Sequence, residues 1–462
     1  MTSGGQRSAF EDGAPRGHTS PGRGRRLPEP GARSASKRTS IFAALVLLLS
    51  TGAGFALSIT DETAGSQPLV LLLWLTAYAV GGALLIDTVV RLRRRPNVPP
   101  WLLLFIILAA TSALWSEAPS VTLRRSFALA GTTLVGLAIA DRLRPVEVLE
   151  TVRRVVLLIA VASLLLYLLR DPRALDDVHA TLRGVVISKN TLGRVVAVGL
   201  ISTACLAYLD RRRWRVHLAS AVPMAIALAL TDSAGGLLLS IIGLSLIASL
   251  AIWRSRRDRL ALCTVVAAGL GFGILAFPNG ISAEDVTQVS GRDTTLTGRT
   301  EIWDESLLAA RERPLSGYGY GAFWGLGGGG VEAEAAGRIR ARLAVPVANA
   351  HSGFLDVTLD LGLPGAILAG LVILATLQRG VRDGREGWVD GTLLRAVVVG
   401  ILLVSTATES GLLQENGFLT VLLVVAAAVR ADPTGPRGSS TPPAAIVGAG
   451  SRSSRPVLSR SG

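Results

Sequence analysis

The sequence predicts an all-α polytopic membrane protein with about twelve transmembrane helices. Three observations predict it. Half of the 462 residues are hydrophobic and only 17% are charged, against about a quarter in soluble domains. The apolar residues fall in runs of membrane-spanning length, such as 41–59 and 68–86. The basic residues sit in short clusters between those runs, the pattern of cytoplasmic membrane loops. A cytosolic enzyme, a disulfide-built secreted domain and a nucleic-acid binder are excluded. The net charge of +14 belongs to the loops and marks no nucleic-acid face. The two cysteines, Cys205 and Cys263, lie in apolar segments and read as small core residues.

Residues 1–40 are rich in Gly, Pro, Ser and Arg and read as a disordered basic cytoplasmic tail; 431–462 read as a second one. Between them the apolar runs predict spans at 41–59, 68–90, 101–117, 121–141, 153–170, 191–209, 214–231, 234–253, 259–277, 354–377, 391–408 and 414–430. Residues 41–277 thus form a membrane domain of nine spans. Residues 278–350 form one long extracytoplasmic loop, read as catalytic, and 351–430 return to the membrane for the last three spans. With the N-terminus inside, 32 of the 47 Lys and Arg residues fall in inner segments and 11 in outer ones. The asymmetry predicts a multi-pass protein of the cytoplasmic membrane with both termini in the cytoplasm.

A loop as long as 278–350 in a compact bundle is usually functional or disordered. Part of it reads as ordered. Thr300 to Glu312 has acids early, bases late and Pro314 as a stop, the pattern of a helix with Ile302, Trp303 and Leu307 on its apolar side. Gly325 to Gly330 reads as a hinge, and Arg338 falls in what reads as the mobile part.

Charges at span ends gather on the outer side: Arg124, Arg125, Arg194, Asp232, Glu409 and Glu415. Such groups mark functional sites or structural ion pairs. Asp87 and Arg395 lie near the inner side, where snorkelling accounts for them. His351 stands where the chain re-enters the membrane, and imidazole titrates near neutrality. Arg299 precedes the loop helix, where the dipole disfavours a cation, so helix stability does not explain it. Arg311 and Arg313 close that helix, where cations are favoured anyway. No HExxH, Cys/His or carboxylate set at ligand spacing and no Walker loop occurs. The sequence therefore predicts no metal and no cofactor, and a substrate that arrives already activated.

Gly298-Arg-Thr-Glu-Ile-Trp303, Glu312-Arg-Pro-Leu-Ser-Gly-Tyr-Gly319, His351-Ser-Gly-Phe-Leu-Asp356 and Asp360-Leu-Gly-Leu-Pro-Gly365 together resemble the O-antigen ligase family. That family comprises O-antigen ligases, Wzy-type polysaccharide polymerases and exopolysaccharide production proteins. Ala113-Leu-Trp-Ser116 with Pro119 and Thr122-Leu-Arg-Arg125, and Ser188-Lys-Asn-Thr-Leu-Gly193, resemble two further family segments. The resemblance implies a fold of the membrane glycosyltransferase C type. It implies metal-independent transfer of a glycan from a polyprenyl diphosphate to a sugar hydroxyl on the outer face. Its partners would be the lipid-linked donor, a glycan or lipid-linked acceptor, the bilayer and other polysaccharide-assembly proteins.

Under the resemblance His351 serves the acceptor, and Arg299, with Arg313, Arg124 and Arg125, holds the diphosphate. Glu301, Lys189 and Asn190 fall to the glycan or acceptor, and Tyr318, Tyr320 and Trp324 are placed to stack on sugar rings. Two departures stand out. Ser188 occupies the place of a family histidine, and Thr231-Asp-Ser-Ala-Gly235 lacks an arginine that many members carry. A transporter or flippase is the alternative, but no internal repeat is visible and the charges sit at the rim and not at the midplane. A peptidoglycan polymerase of the shape-and-division type fits the His351 to Gly365 segment less well.

Overall fold

The computed structural model describes residues 30–53, 68–176, 181–252, 297–325, 333–343 and 347–430. Among them are thirteen α-helices and no strand. In chain order they are α1 (Pro30–Ser50), α2 (Pro68–Val90), α3 (Pro100–Thr111), α4 (Pro119–Arg142), α5 (Pro145–Leu168), α6 (Lys189–Leu209) and α7 (Trp214–Thr231). Then follow α8 (Ala234–Ile252), α9 (Thr297–Glu312), α10 (Glu334–Leu343), α11 (Gly353–Arg385), α12 (Val389–Thr408) and α13 (Phe418–Ala428). Seven helices are long and apolar enough to cross a membrane: α2, α4, α5, α6, α7, α11 and α12. Three shorter apolar segments, Pro100–Leu114, Ala234–Ser249 and Phe418–Ala428, occupy three more of the predicted spans. The protein is a polytopic all-α membrane protein.

The starts are legible in the residue types. Proline opens α3, α4 and α5, where its missing N–H leaves no bond unmade. Glu147 accepts from the Arg144 amide at 2.9 Å at the head of α5. At the head of α6 the Ser188 hydroxyl accepts from the Thr191 amide at 3.2 Å. The residue standing in place of the family histidine is therefore a helix cap. The core is apolar and lies where α4, α5, α6, α12 and α13 pack; the central windows of α4, α6 and α12 are more than half buried.

Three boundaries differ from expectation. α1 begins at Pro30, so the last residues of the stretch expected to be a disordered tail are helical, and it ends at Ser50, short of residue 59. α11 is not one continuous span: Gly362 has φ 66° and ψ −169°, which divides it into a short helix and a longer one restarting around Pro364. In the outer loop, α10 was not anticipated, and Arg338 lies within it and binds Glu312 at 2.6 and 2.8 Å. The predicted ninth span, residues 278–296, the hinge glycines 326–330, the first tail up to residue 29 and the second tail lie outside the described residues.

Arg395 is not a snorkelling residue. It is 3% exposed and bound to Asp383 and the Val429 carbonyl. Asp87 likewise pairs with Arg142 at 2.7 Å and Arg91 at 3.3 Å. The long sequence separation of Arg395 from Val429, and of Asp87 from Arg142, hides these pairs from a local reading.

Candidate active site

The described part of the outer loop folds back onto the helix ends as a second apolar cluster. Ile302, Ala309, Tyr318, Phe323, Trp324, Ala336, Ile339 and Leu359 belong to it. α9 forms where expected, with Ile302 buried inward, whereas Leu307 is 46% exposed. The segment after α9 turns through Gly317, whose φ of +62° favours glycine and whose Cβ would sit 2.5 Å from the Asp360 carbonyl.

That close approach lets the loop close the break in α11. The Tyr318 amide donates to the Leu359 carbonyl at 2.9 Å and the Gly319 amide to the Asp360 carbonyl at 2.8 Å. The Leu363 amide donates to the Pro314 carbonyl at 2.8 Å. Backbone groups freed at the break are thus paired by the loop. On its other side the loop rests on the α3–α4 connection. Trp115 Nε1 donates to the Ser316 carbonyl at 2.9 Å, and the Tyr320 amide donates to the Ser112 hydroxyl at 3.0 Å. The Ala113–Ser116 motif and its neighbours are a seat for the outer loop.

This packing corrects the reading of three aromatic residues. Tyr318, Tyr320 and Trp324 are 2%, 4% and 6% exposed. Tyr318 Oη donates to the Ala309 carbonyl at 3.1 Å and to Glu312 at 3.0 Å. Tyr320 Oη donates to the Leu413 carbonyl at 2.8 Å and to Glu415 at 3.2 Å, and burial holds its phenol well above the usual value. Trp324 Nε1 donates to Asp356 at 2.8 Å. The Tyr318 and Trp324 rings fill the loop's own core and the Tyr320 ring packs against Phe105 in the membrane-domain core, so none presents a face for a sugar.

Two of the four proposed diphosphate arginines already have carboxylate partners. Arg313 pairs with Glu117 at 2.6 Å and lies 4.6 Å from the centre of the Tyr318 ring. Arg125 pairs with Glu415 at 3.4 Å, both side chains being 15% exposed or less. Burial pushes the Glu415 carboxyl above the ordinary range, and Arg125 opposes that shift. Arg124, on the same turn, is exposed. Arg299 lies on the first turns of α9, and its side chain is outside the described residues; Glu301 is exposed.

Lys189, in the first turn of α6, is only 8% exposed, and among the described residues its ammonium meets no hydrogen bond or ion pair. The Asn190 side-chain oxygen accepts from the Ser233 hydroxyl at 3.4 Å. α6 packs on α12, and the expected alternation of spans puts Lys189 on the same face as His351.

His351 sits at the centre of the rim. Its φ is +48°, an uncommon backbone for a residue with a side chain. The turn is held on three sides. The His351 amide donates to Asn349 Oδ1 at 3.0 Å, and Ser410 donates to the same oxygen at 3.0 Å. The Ala350 amide donates to Asp356 Oδ1 at 2.9 Å, and Trp303 Nε1 donates to the Ala350 carbonyl at 2.8 Å. The imidazole Nδ1 is buried, makes no hydrogen bond, and lies 3.9 Å from Glu409 Oε2. The side chain is 36% exposed, and with Nδ1 buried that exposure belongs to the other ring atoms. A ring with one nitrogen toward a carboxylate and another edge toward solvent is an arrangement for proton transfer.

Glu409, Asn349 and Asp356 are the residues that the sequence did not single out as partners of the histidine. Asp356 closes the quoted His351 motif and Asn349 lies two residues before it, so both had a local signal. Glu409 is 58 residues away in sequence and only the return of α12 brings it near. No group of three or more His, Cys, Asp or Glu placed to hold a metal occurs among the described residues.

Residues 219–370 match the family model described as O-antigen ligase. The chain is also similar to the exopolysaccharide production protein ExoQ of Rhizobium meliloti (strain 1021), with 27% identity over 302 residues, covering 62% of this chain and 67% of that protein. The family match runs from α7 to the first half of α11, the stretch that carries the docked loop, the left-handed turn at His351 and its Asp356 clamp. Over that stretch the chain is similar to the O-antigen ligase family.

Proposed function

We propose that the protein is a glycosyltransferase of surface-polysaccharide assembly, acting on the outer face of the cytoplasmic membrane, with both termini in the cytoplasm. The donor is a polyprenyl-diphosphate-linked glycan and the acceptor a sugar hydroxyl. The observation that carries this reading is His351, fixed in a left-handed turn with Nδ1 toward Glu409. His351 takes the proton of the acceptor hydroxyl as its oxygen bonds to the anomeric carbon. The bond from that carbon to the diphosphate breaks, and the polyprenyl diphosphate leaves with the electron pair. Glu409, 3.9 Å from Nδ1, orients the ring.

Negative charge grows on the departing diphosphate, so cations fixed near it stabilise the transition state more than the ground state. Arg125 and Arg313 have carboxylate partners; the buried Lys189 adds a further cation at this face, and Arg299 is the one the family resemblance puts first at the diphosphate. Arg299→Lys keeps the charge and loses the planar fork. We expect it to lower transfer by about tenfold or more, whereas Arg338→Lys, in an exposed pair with Glu312, changes it less than about twofold. Equal effects would mean that loop charge in general matters, and not a specific diphosphate contact.

The same reading requires neither metal nor nucleotide. Purified protein with a polyprenyl-diphosphate glycan and an acceptor is expected to turn over in excess EDTA without ATP. Turnover that disappears in EDTA and returns with Mg²⁺ or Mn²⁺ would overturn the arginine-based mechanism.

A further inference from the structure

On the face opposite His351, we propose that a cavity between α3, α11 and α13 binds the phosphate of an anionic phospholipid. The cavity has a volume of about 170 Å³. Its walls include Pro100 and Trp101 at the head of α3, Thr376, Arg379 and Arg382 on α11, and Ala427 at the end of α13. Neither arginine has a carboxylate within ion-pair distance among the described residues. Arg379 Nη1 donates to the Ala427 carbonyl, and the Arg382 guanidinium makes no hydrogen bond among the described residues. The nearest carboxylate along the helix, Asp383, is taken by the buried Arg395. Among the described residues, therefore, no ion pair neutralises the positive charge at the cavity.

More positive charge is tied to the same corner. Asn97 donates to the Ala428 carbonyl at 2.9 Å and Arg430 to the Arg95 carbonyl at 2.6 Å. These bonds bring the Arg91 to Arg95 segment to the end of α13. The first turn of α3 points its free amides and positive dipole end to this face.

The surroundings select a lipid over a soluble anion. Trp101 is 38% exposed, as expected of an aromatic residue at a headgroup boundary. Away from the arginines the lipid-facing sides of both helices are apolar: Leu104 on α3 and Leu374 and Leu377 on α11 are 45%, 47% and 41% exposed. A phosphate at Arg379 and Arg382 would have its acyl chains lie along that strip. Basic pockets between helix ends are suited to anionic headgroups.

The test uses the full chain purified in detergent, with native mass spectrometry of retained lipid. Phosphatidylglycerol and cardiolipin are expected to stay bound where phosphatidylcholine does not. Arg382→Gln breaks no hydrogen bond or ion pair among the described residues and should fold normally; with Arg379→Gln it is expected to lower binding by roughly ten- to thirtyfold. Arg211→Gln with Arg212→Gln, on the same face but away from the cavity, should leave binding within about twofold. Equal loss in the two pairs would show general surface charge and overturn the site. Displacement of the lipid by millimolar glycerol phosphate would make it a soluble-phosphate site and overturn the lipid assignment, as would equal retention of phosphatidylcholine.

Discussion

Replacing His351 by alanine is expected to lower glycan transfer by about 10²- to 10⁴-fold, the range that general acid–base groups supply, with the protein still inserted at normal levels. The structure separates these two outcomes. The imidazole is 36% exposed and its Nδ1 makes no hydrogen bond, so truncation loses only the 3.9 Å approach to Glu409. The bonds that hold the turn are made by the backbone at residues 350 and 351. Alanine at φ +48° carries roughly the same backbone penalty as histidine, about 1 kcal/mol. A folding defect is therefore not expected to mimic the chemical one. Glu409→Gln should lower kcat by a smaller factor, about tenfold, with the donor KM little changed, because Glu409 acts through the ring and not on the donor. Normal product from His351→Ala in cells would remove the general-base assignment. A Glu409→Gln enzyme that loses donor affinity and keeps kcat would place the carboxylate in binding instead.

What was legible in the sequence divides by range. Helices α2 to α8 and α11 to α13 follow from apolar runs, since span length and hydrophobicity are local properties. The head of α6 and the body of α9 were readable from caps and charge placement. The break in α11 had a local signal in Leu361-Gly-Leu-Pro-Gly365, but the apolar run around it masks a boundary that needs Gly362 and the incoming loop together. α10 was obscured because its buried face is built from Ala335, Ala336 and Ile339, two of which are too small to mark a face. The aromatic residues misled for a physical reason. The glycines on either side of Tyr318 and Tyr320 let the turn press against Asp360 of α11, Ser116 and Arg125, and that close approach, which no local pattern announces, buries the rings. Arg125 and Arg313 looked available because Glu415 and Glu117 lie about 290 and 196 positions away along the chain, and such pairings are set only by tertiary packing.

Asp356→Ala is expected to release the outer loop from the membrane domain and to abolish transfer without touching the reacting groups. Asp356 Oδ1 accepts from two donors at once, Trp324 Nε1 at 2.8 Å and the Ala350 amide at 2.9 Å. Trp324 and Ala350 are both buried, Ala350 completely. Removing the shared acceptor leaves both donors without a partner, at about 1–3 kcal/mol each. The loss falls on the residue before His351 and on the loop's aromatic core together, so the turn and the loop should loosen as one unit. Limited proteolysis between α9 and α11 should quicken markedly, while Asp356→Asn, which keeps a side-chain oxygen, should stay near the wild-type rate. Tyr318→Phe supplies the calibration: it removes one hydroxyl bonded to Ala309 and Glu312, costs about 1 kcal/mol, and leaves the loop docked and transfer within a few-fold. Unchanged cleavage in Asp356→Ala would show that the carboxylate is not what clamps the loop. Loss of transfer in Tyr318→Phe with the loop still protected would return that ring to a direct role with the sugar, against its burial.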